Sequence, residues 1–117
     1  MTEAEMKKRT QSFALRILKL AEALPRTRSG NMIATQIVRS GTSVAANYRA
    51  LCRSKSRVDF INKTAIVEEE ADDTLDMIVE AELLKPEQVA PLAKEADELT
   101  AMLVASRKTS SKPRARS

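Results

Sequence analysis

The sequence predicts an all-α, antiparallel up-down four-helix bundle, and three observations carry that expectation. Gly supplies two and Pro four of the 117 residues, too few for the turns of β-hairpins or for a phosphate-cradling loop. Apolar residues recur every three to four positions through four stretches of about 20 residues, the period of a helix that buries one face. The breaks between these stretches are short, which makes successive helices antiparallel neighbours. Only Phe13, Tyr48 and Phe60 are aromatic, so the core is expected to be aliphatic.

The first helix is expected over 3–24, with Met6, Phe13, Ile17, Leu20, Ala21 and Leu24 on one face. Pro25 stops it, because a proline removes a backbone donor and clashes with the preceding turn. The segment Pro25 to Gly30 is the loop. The second helix, over 31–53, carries Ile33, Ile37, Val44, Tyr48 and Leu51 on its buried stripe, with Asn31 or Ser29 as its cap. After a basic break at 54–57, Ser56 and Asp59 have the spacing of a capping box. They open a third helix over 57–84, with Phe60, Ile61, Val67, Ala71, Leu75, Ile78 and Val79 on its stripe. The fourth, over 87–107, buries Val89, Leu92, Ala96, Leu99 and Leu103, with Pro91 disturbing its start. The bundle domain is therefore expected over 1–108, and 109–117 as a disordered basic tail.

Composition removes many chemistries. The chain contains no His, which excludes His-based acid–base catalysis, Ser-His and Cys-His nucleophile pairs and His-containing metal sites. Cys52 is the only cysteine and forms no internal disulfide; it reads as a small core residue, since no His activates it. No apolar run approaches the roughly 18 residues of a membrane span. The opening MTEAEMKKRT is too polar for a secretory signal, so the expected location is the cytoplasm.

Charge is segregated. Residues 25–57 hold seven basic side chains and no acidic one, whereas 58–82 hold nine acidic and one basic. On the wheel of the second helix Arg39, Arg49 and Arg53 lie on the side away from Ile33, Ile37 and Leu51, with Lys55 and Arg57 extending them. Guanidinium groups bind phosphate bidentately, so this face is a candidate nucleic-acid backbone surface, joined by Lys112, Arg114 and Arg116 of the tail. No aromatic residue interleaves them, which argues against base stacking. The competing reading pairs the same arginines with acids of the third helix, within one chain or between subunits.

Polar residues mark the buried side as well. Gln36, Ser40, Ser43 and Asn47 form a row flanking the stripe of the second helix, and Glu68 falls on the core face of the third. A buried carboxylate needs donors or a proton, and Ser40, Asn47 or Arg39 are the candidates. Ser40, Asn47 and Glu68 are therefore expected to form a structural polar core. The acidic pairs Glu69 with Asp72, and Glu95 with Glu98, have the spacing to share Mg²⁺. A Mg²⁺-dependent nucleotide pyrophosphatase is the enzyme reading, but the wheel turns Glu69, Glu95 and Glu98 outward, and no metal or cofactor is expected.

From Gln36 to Ile78 the chain resembles a bacterial four-helix bundle family that includes proteins encoded by intervening sequences of 23S ribosomal RNA genes. The resemblance rests on RSGTSVAANYRA (Arg39 to Ala50), the basic break followed by Asp59 and Phe60, and EEEAD (Glu68 to Asp72). It extends over about residues 10–107, with Pro25 ending the first helix and EADEL at Glu95 to Leu99. The resemblance implies a bundle assembling as a homopentameric ring, no catalytic residues, and kinship with accessory variability proteins of diversity-generating retroelements, basic partners of a reverse transcriptase. The expected function is thus that of a non-enzymatic accessory or scaffold protein that binds RNA or DNA backbone. The alternative is a purely structural ring with its arginines at subunit contacts.

Overall fold

Thr2 opens the first helix, α1 (Glu3–Ala23), with a reciprocal cap: its hydroxyl accepts from the Glu5 N–H at 3.1 Å, and the Glu5 carboxylate accepts from the Thr2 N–H at 3.4 Å. The computed structural model describes the backbone of residues 2–111 and the side chains of residues 2–106. α1 closes at Leu24, immediately before Pro25, as the helix-breaking ring predicts.

α2 (Arg28–Arg53) starts three residues earlier than the apolar pattern indicates. Its cap is Thr27, whose hydroxyl accepts from the Gly30 N–H at 3.0 Å, and neither Ser29 nor Asn31 fills that role. Gly30 makes the early start possible. A Cβ there would lie 1.9 Å from the Pro25 carbonyl oxygen, so the turn closes only around a residue without a side chain.

α3 (Arg57–Glu80) begins without the expected Ser56–Asp59 box. Ser56 has ψ 62°, away from the extended geometry that aims a capping hydroxyl, and the Ser54 hydroxyl instead accepts from the Ser56 N–H at 3.0 Å. α3 also ends before the predicted position 84. The Leu83 N–H reaches the Ile78 carbonyl and the Glu82 N–H reaches that of Val79, each at 3.0 Å, a Schellman closure with Glu82 left-handed at φ 57°. Glycine adopts that conformation without Cβ strain. Glu82→Gly is therefore expected to stabilise the fold by about 0.5–1 kcal/mol, read as a raised urea midpoint with an unchanged m-value.

α4 (Pro86–Ser111) places Pro86 at its first position, where no N–H is needed, and Gln88 returns its side-chain oxygen to the Lys85 N–H at 2.9 Å. Pro91 sits inside the helix. The helix passes the predicted end at 107, and residues 109–111, expected in the tail, are helical. Between Pro91 and Pro113 the chain has no Gly or Pro to stop it. Lys112, Arg114 and Arg116 lie outside the described residues.

The four helices form an antiparallel bundle of 59 × 21 × 20 Å in which α1 packs on α2, α2 on α3 and α3 on α4, with the α1–α4 contact the lightest. Phe13, Ile17, Ile37, Val44, Ala71, Leu75, Ile78, Ala96 and Leu99 are fully enclosed. Gly41 marks the closest approach of α1 and α2, where a Cβ would lie 2.8–3.0 Å from carbons of Ile17. The hydroxyls of Thr10, Ser40, Thr64 and Thr74 are buried, and each donates to a carbonyl three or four residues back on its own helix. Most of the polar content of the core is thus satisfied without crossing between helices.

Candidate nucleic-acid interface

α2 is long enough to turn one charged face outward along most of the bundle. Arg28, Arg39, Arg49 and Arg53 are all exposed, while Ile37, Ser40, Val44, Tyr48 and Leu51 fill the opposite face. At 1.5 Å per residue, Arg28 to Arg53 spans about 38 Å. Arg28 was not legible as part of this face because the helix was expected to start at 31. The signal that would have found it is Thr27, three residues before Gly30, in the position of a capping hydroxyl.

The arginines differ in their partners. Arg39, 60% exposed in its side chain, donates to Glu70 of α3 at 3.2 Å. Arg49 donates to the Gln11 side-chain oxygen of α1 at 2.6 Å, a bond that orients its guanidinium without neutralising it. Arg53, Lys55 and Arg57 are exposed and form no ion pair with a described side chain. Across α2 and α3 the expected neutralisation is therefore limited to Arg39–Glu70, an exposed pair worth at most about 1 kcal/mol in water. Positive charge on α2 stays available to solvent.

Acids dominate the outward side of α3, where Glu69, Glu70, Asp73, Asp76 and Glu80 are exposed. Next to them Ile66 and Met77 stand more than half exposed, as do Met32 of α2 and Leu15 of α1; Leu18 of α1 is nearly as open.

The side of α4 that faces α1 differs from its expected form. Glu95 was expected to point outward but is half-buried, because Arg9 of α1 grips it through two nitrogens, Nη2 to Oε1 and Nε to Oε2 at 3.1 Å. The same Arg9 reaches Glu98 at 3.3 Å. The Arg9 hydrogen bond lowers the pKa of the Glu95 carboxyl, against the opposing effect of burial. Arg9 was missed in the sequence because its partners lie at the far end of the chain.

Glu68 is fully enclosed and neither carboxyl oxygen has a hydrogen-bond partner. The three donors expected for it are engaged or turned elsewhere. The Ser40 hydroxyl donates to the Gln36 carbonyl at 3.1 Å, Arg39 goes to Glu70, and Asn47 is half-buried with no bond to Glu68. Burial above all, then the negative charges of Asp72 and Glu95, push the Glu68 carboxyl up to about 8. Asp72 is also raised, first by burial and then by the neighbouring Asp97 carboxylate of α4.

Among the described residues, no cluster of three or more Cys, Asp or Glu side chains has the geometry to hold a metal ion. Glu69 faces solvent, Asp72 faces Asp97 and Glu95 faces Arg9, so the two pairs weighed as Mg²⁺ ligands do not converge. Burial pushes up the pKa of the half-buried Cys52 thiol, and Glu3 beside it adds to the shift, which disfavours the reactive thiolate. No helix among the described residues is long and apolar enough to cross a membrane.

Comparison with known proteins agrees on the fold. A family model described as 23S rRNA-intervening sequence protein matches residues 2–105. The chain is similar to the crystal structure of a protein with unknown function from the S23 ribosomal protein family of Bacteroides thetaiotaomicron VPI-5482. The two are 30% identical, the match covers 92% of this chain and 99% of that one, and the TM-score is 0.81. No curated protein matches the sequence.

Proposed function

The chain belongs to the 23S rRNA-intervening sequence protein family, and from that premise we propose that it is a non-enzymatic, oligomeric helical-bundle protein that binds the backbone of RNA or DNA as an accessory or scaffold factor. The observation that carries this reading is the outward face of α2 with the turn into α3, where Arg49, Arg53, Lys55 and Arg57 are exposed with no described carboxylate bonded to them and Arg39 is held by one exposed acid. Lys112, Arg114 and Arg116 add charge to the same reading. A non-catalytic role fits the lack of His and the raised Cys52 thiol. The family description ties relatives to ribosomal RNA genes, which makes RNA the first probe.

Self-association is part of the same proposal, with the homopentameric ring as the assembly the resemblance implies. It draws support from exposed Leu15, Leu18, Met32, Ile66 and Met77 and from the contrast between a basic α2 and an acidic α3, since a ring needs two different complementary surfaces on each subunit. A reverse transcriptase is the protein partner the resemblance suggests, and the cytoplasm the proposed location. The purely structural ring remains the second reading, favoured by the Arg39–Glu70 pair, which shows that acids of α3 can take up arginines of α2.

Binding to labelled RNA and DNA, single-stranded and duplex, titrated from 50 to 200 mM salt, tests the proposal. Log affinity is expected to fall linearly with log salt, with a slope approaching about −4.5 per chain if Arg39, Arg49, Arg53, Lys55 and Arg57 all meet phosphates of a duplex. Light scattering in the same buffers is expected to give constant mass. Absence of binding at 50 mM salt removes the nucleic-acid reading and leaves the ring.

A further inference from the structure

Glu68 is placed where neither water nor a donor reaches it. It lies on the buried face of α3, 0% exposed, with both oxygens unpartnered, and the Thr100 hydroxyl of α4 is likewise buried without a partner. The charged groups around it come from two helices and are both acids. Asp72 stands one turn further along α3, and Glu95 faces it from α4. The positive charge of Arg9 on α1 is already spread over Glu95 and Glu98. On α1 the half-buried Arg16 also acts on Glu95, and α2 contributes the buried Tyr48, whose hydroxyl burial pushes up to about 12, and the half-buried Cys52, whose thiol burial also pushes up. One turn away, the half-buried Asp72 faces the Asp97 carboxylate of α4 across the same seam, which adds to the negative charge there.

We infer that the α3–α4 seam is protonated at neutral pH, with Glu68 held as the neutral acid beside Asp72 and Glu95, so that alkali loosens this seam. The protons come from solvent as the chain folds and return to it when the seam opens. An ionised Glu68 would be a buried charge with two acids as its neighbours and no cation of its own, a state the fold resists. The neutral acid removes that charge and keeps α3 seated against α4. Arg9 completes the arrangement by neutralising Glu95, the one acid facing Glu68 from the opposite helix.

The direction of the pH effect follows from the raised native values. A carboxyl whose pKa is higher folded than unfolded binds its proton more tightly in the native state. Stability is therefore greatest below the unfolded value and declines as pH rises towards the folded one. For Glu68 that window runs from 4.5 to about 8. Each unit of pH inside the window lowers the folding constant up to tenfold, so up to about a thousandfold between pH 5 and 8.

Urea and thermal unfolding of the full chain between pH 5 and 9 test this, alongside Glu68→Gln and the exposed control Glu69→Gln. The wild type is expected to lose stability steadily as pH rises. Glu68→Gln is expected to flatten that loss and to exceed the wild type at pH 8–9, whereas Glu69→Gln follows the wild type. Carbon-13 NMR of the side-chain carboxyls reads the proton directly in the wild-type chain, so the test stands even if a variant fails to fold. A Glu68 δ-carbon titrating near 8 supports the inference. Titration near 4.5, or a wild type equally stable across the range, overturns it. Stabilisation of the wild type at pH 8 by millimolar Mg²⁺ that Glu68→Gln abolishes overturns it too, since the seam would then hold a cation in place of protons.

Discussion

Changing Arg39, Arg49 and Arg53 together to glutamine is expected to lower the affinity for duplex nucleic acid about 500-fold at 0.1 M salt and to reduce the magnitude of the salt slope by about 3 per chain. Each phosphate contact contributes about 0.9 to that slope, hence about 0.9 decade between 1 M and 0.1 M salt, and three contacts compound. Glutamine keeps helix propensity close to that of arginine, and all three positions are exposed, so the circular-dichroism spectrum and melting curve should barely move. The single variants should rank by present partner. Arg53 forms no ion pair with a described residue and should cost most. Arg49, held by neutral Gln11, should follow, and Arg39 least, because it must first leave Glu70. Lys94→Gln, on exposed α4, is the control. A triple variant that binds as well as the wild type would move the phosphate surface away from α2. One that falls apart into monomers would assign these arginines to subunit contacts.

Phe13→Ala is expected to destabilise the fold by about 3–5 kcal/mol, measured as the shift in urea midpoint at fixed chain concentration. Phe13 is 0% exposed at the middle of α1, one of two buried rings in a core otherwise built of aliphatic side chains. Truncation removes the transfer energy of the ring and leaves a cavity that straight, packed helices cannot close. A domain of this size is held by roughly 5–15 kcal/mol, so the variant should sit near the edge of folding at 37 °C. Lys8→Ala, on the exposed side of α1, should change stability by less than about 0.5 kcal/mol. Equal effects at the two positions would contradict the assignment of the buried face of α1.

Both outcomes rest on features readable along the chain. The stripes containing Phe13, Ile37, Leu75 and Leu99 follow the helical period, and Pro25 breaks α1 where its ring forbids continuation. The outward direction of Arg39, Arg49 and Arg53 follows from the same arithmetic, because 100° per residue sorts core from solvent whatever the neighbouring helices are. These are properties of one helix at a time, and periodicity reports them well.

The contacts that cross from helix to helix were decided only when the four packed together. Arg9 grips Glu95 across the length of the chain, and Glu68 ends in a pocket whose expected donors satisfy their own backbone or bond elsewhere. A helical wheel resolves direction to about one residue step, whereas a hydrogen bond is won or lost within about half an ångström. The end of α3 at Glu82 and the start of α2 at Thr27 belong to the same class. Each depends on how tightly the chain turns against its neighbour, a distance that no spacing of residues along the chain contains.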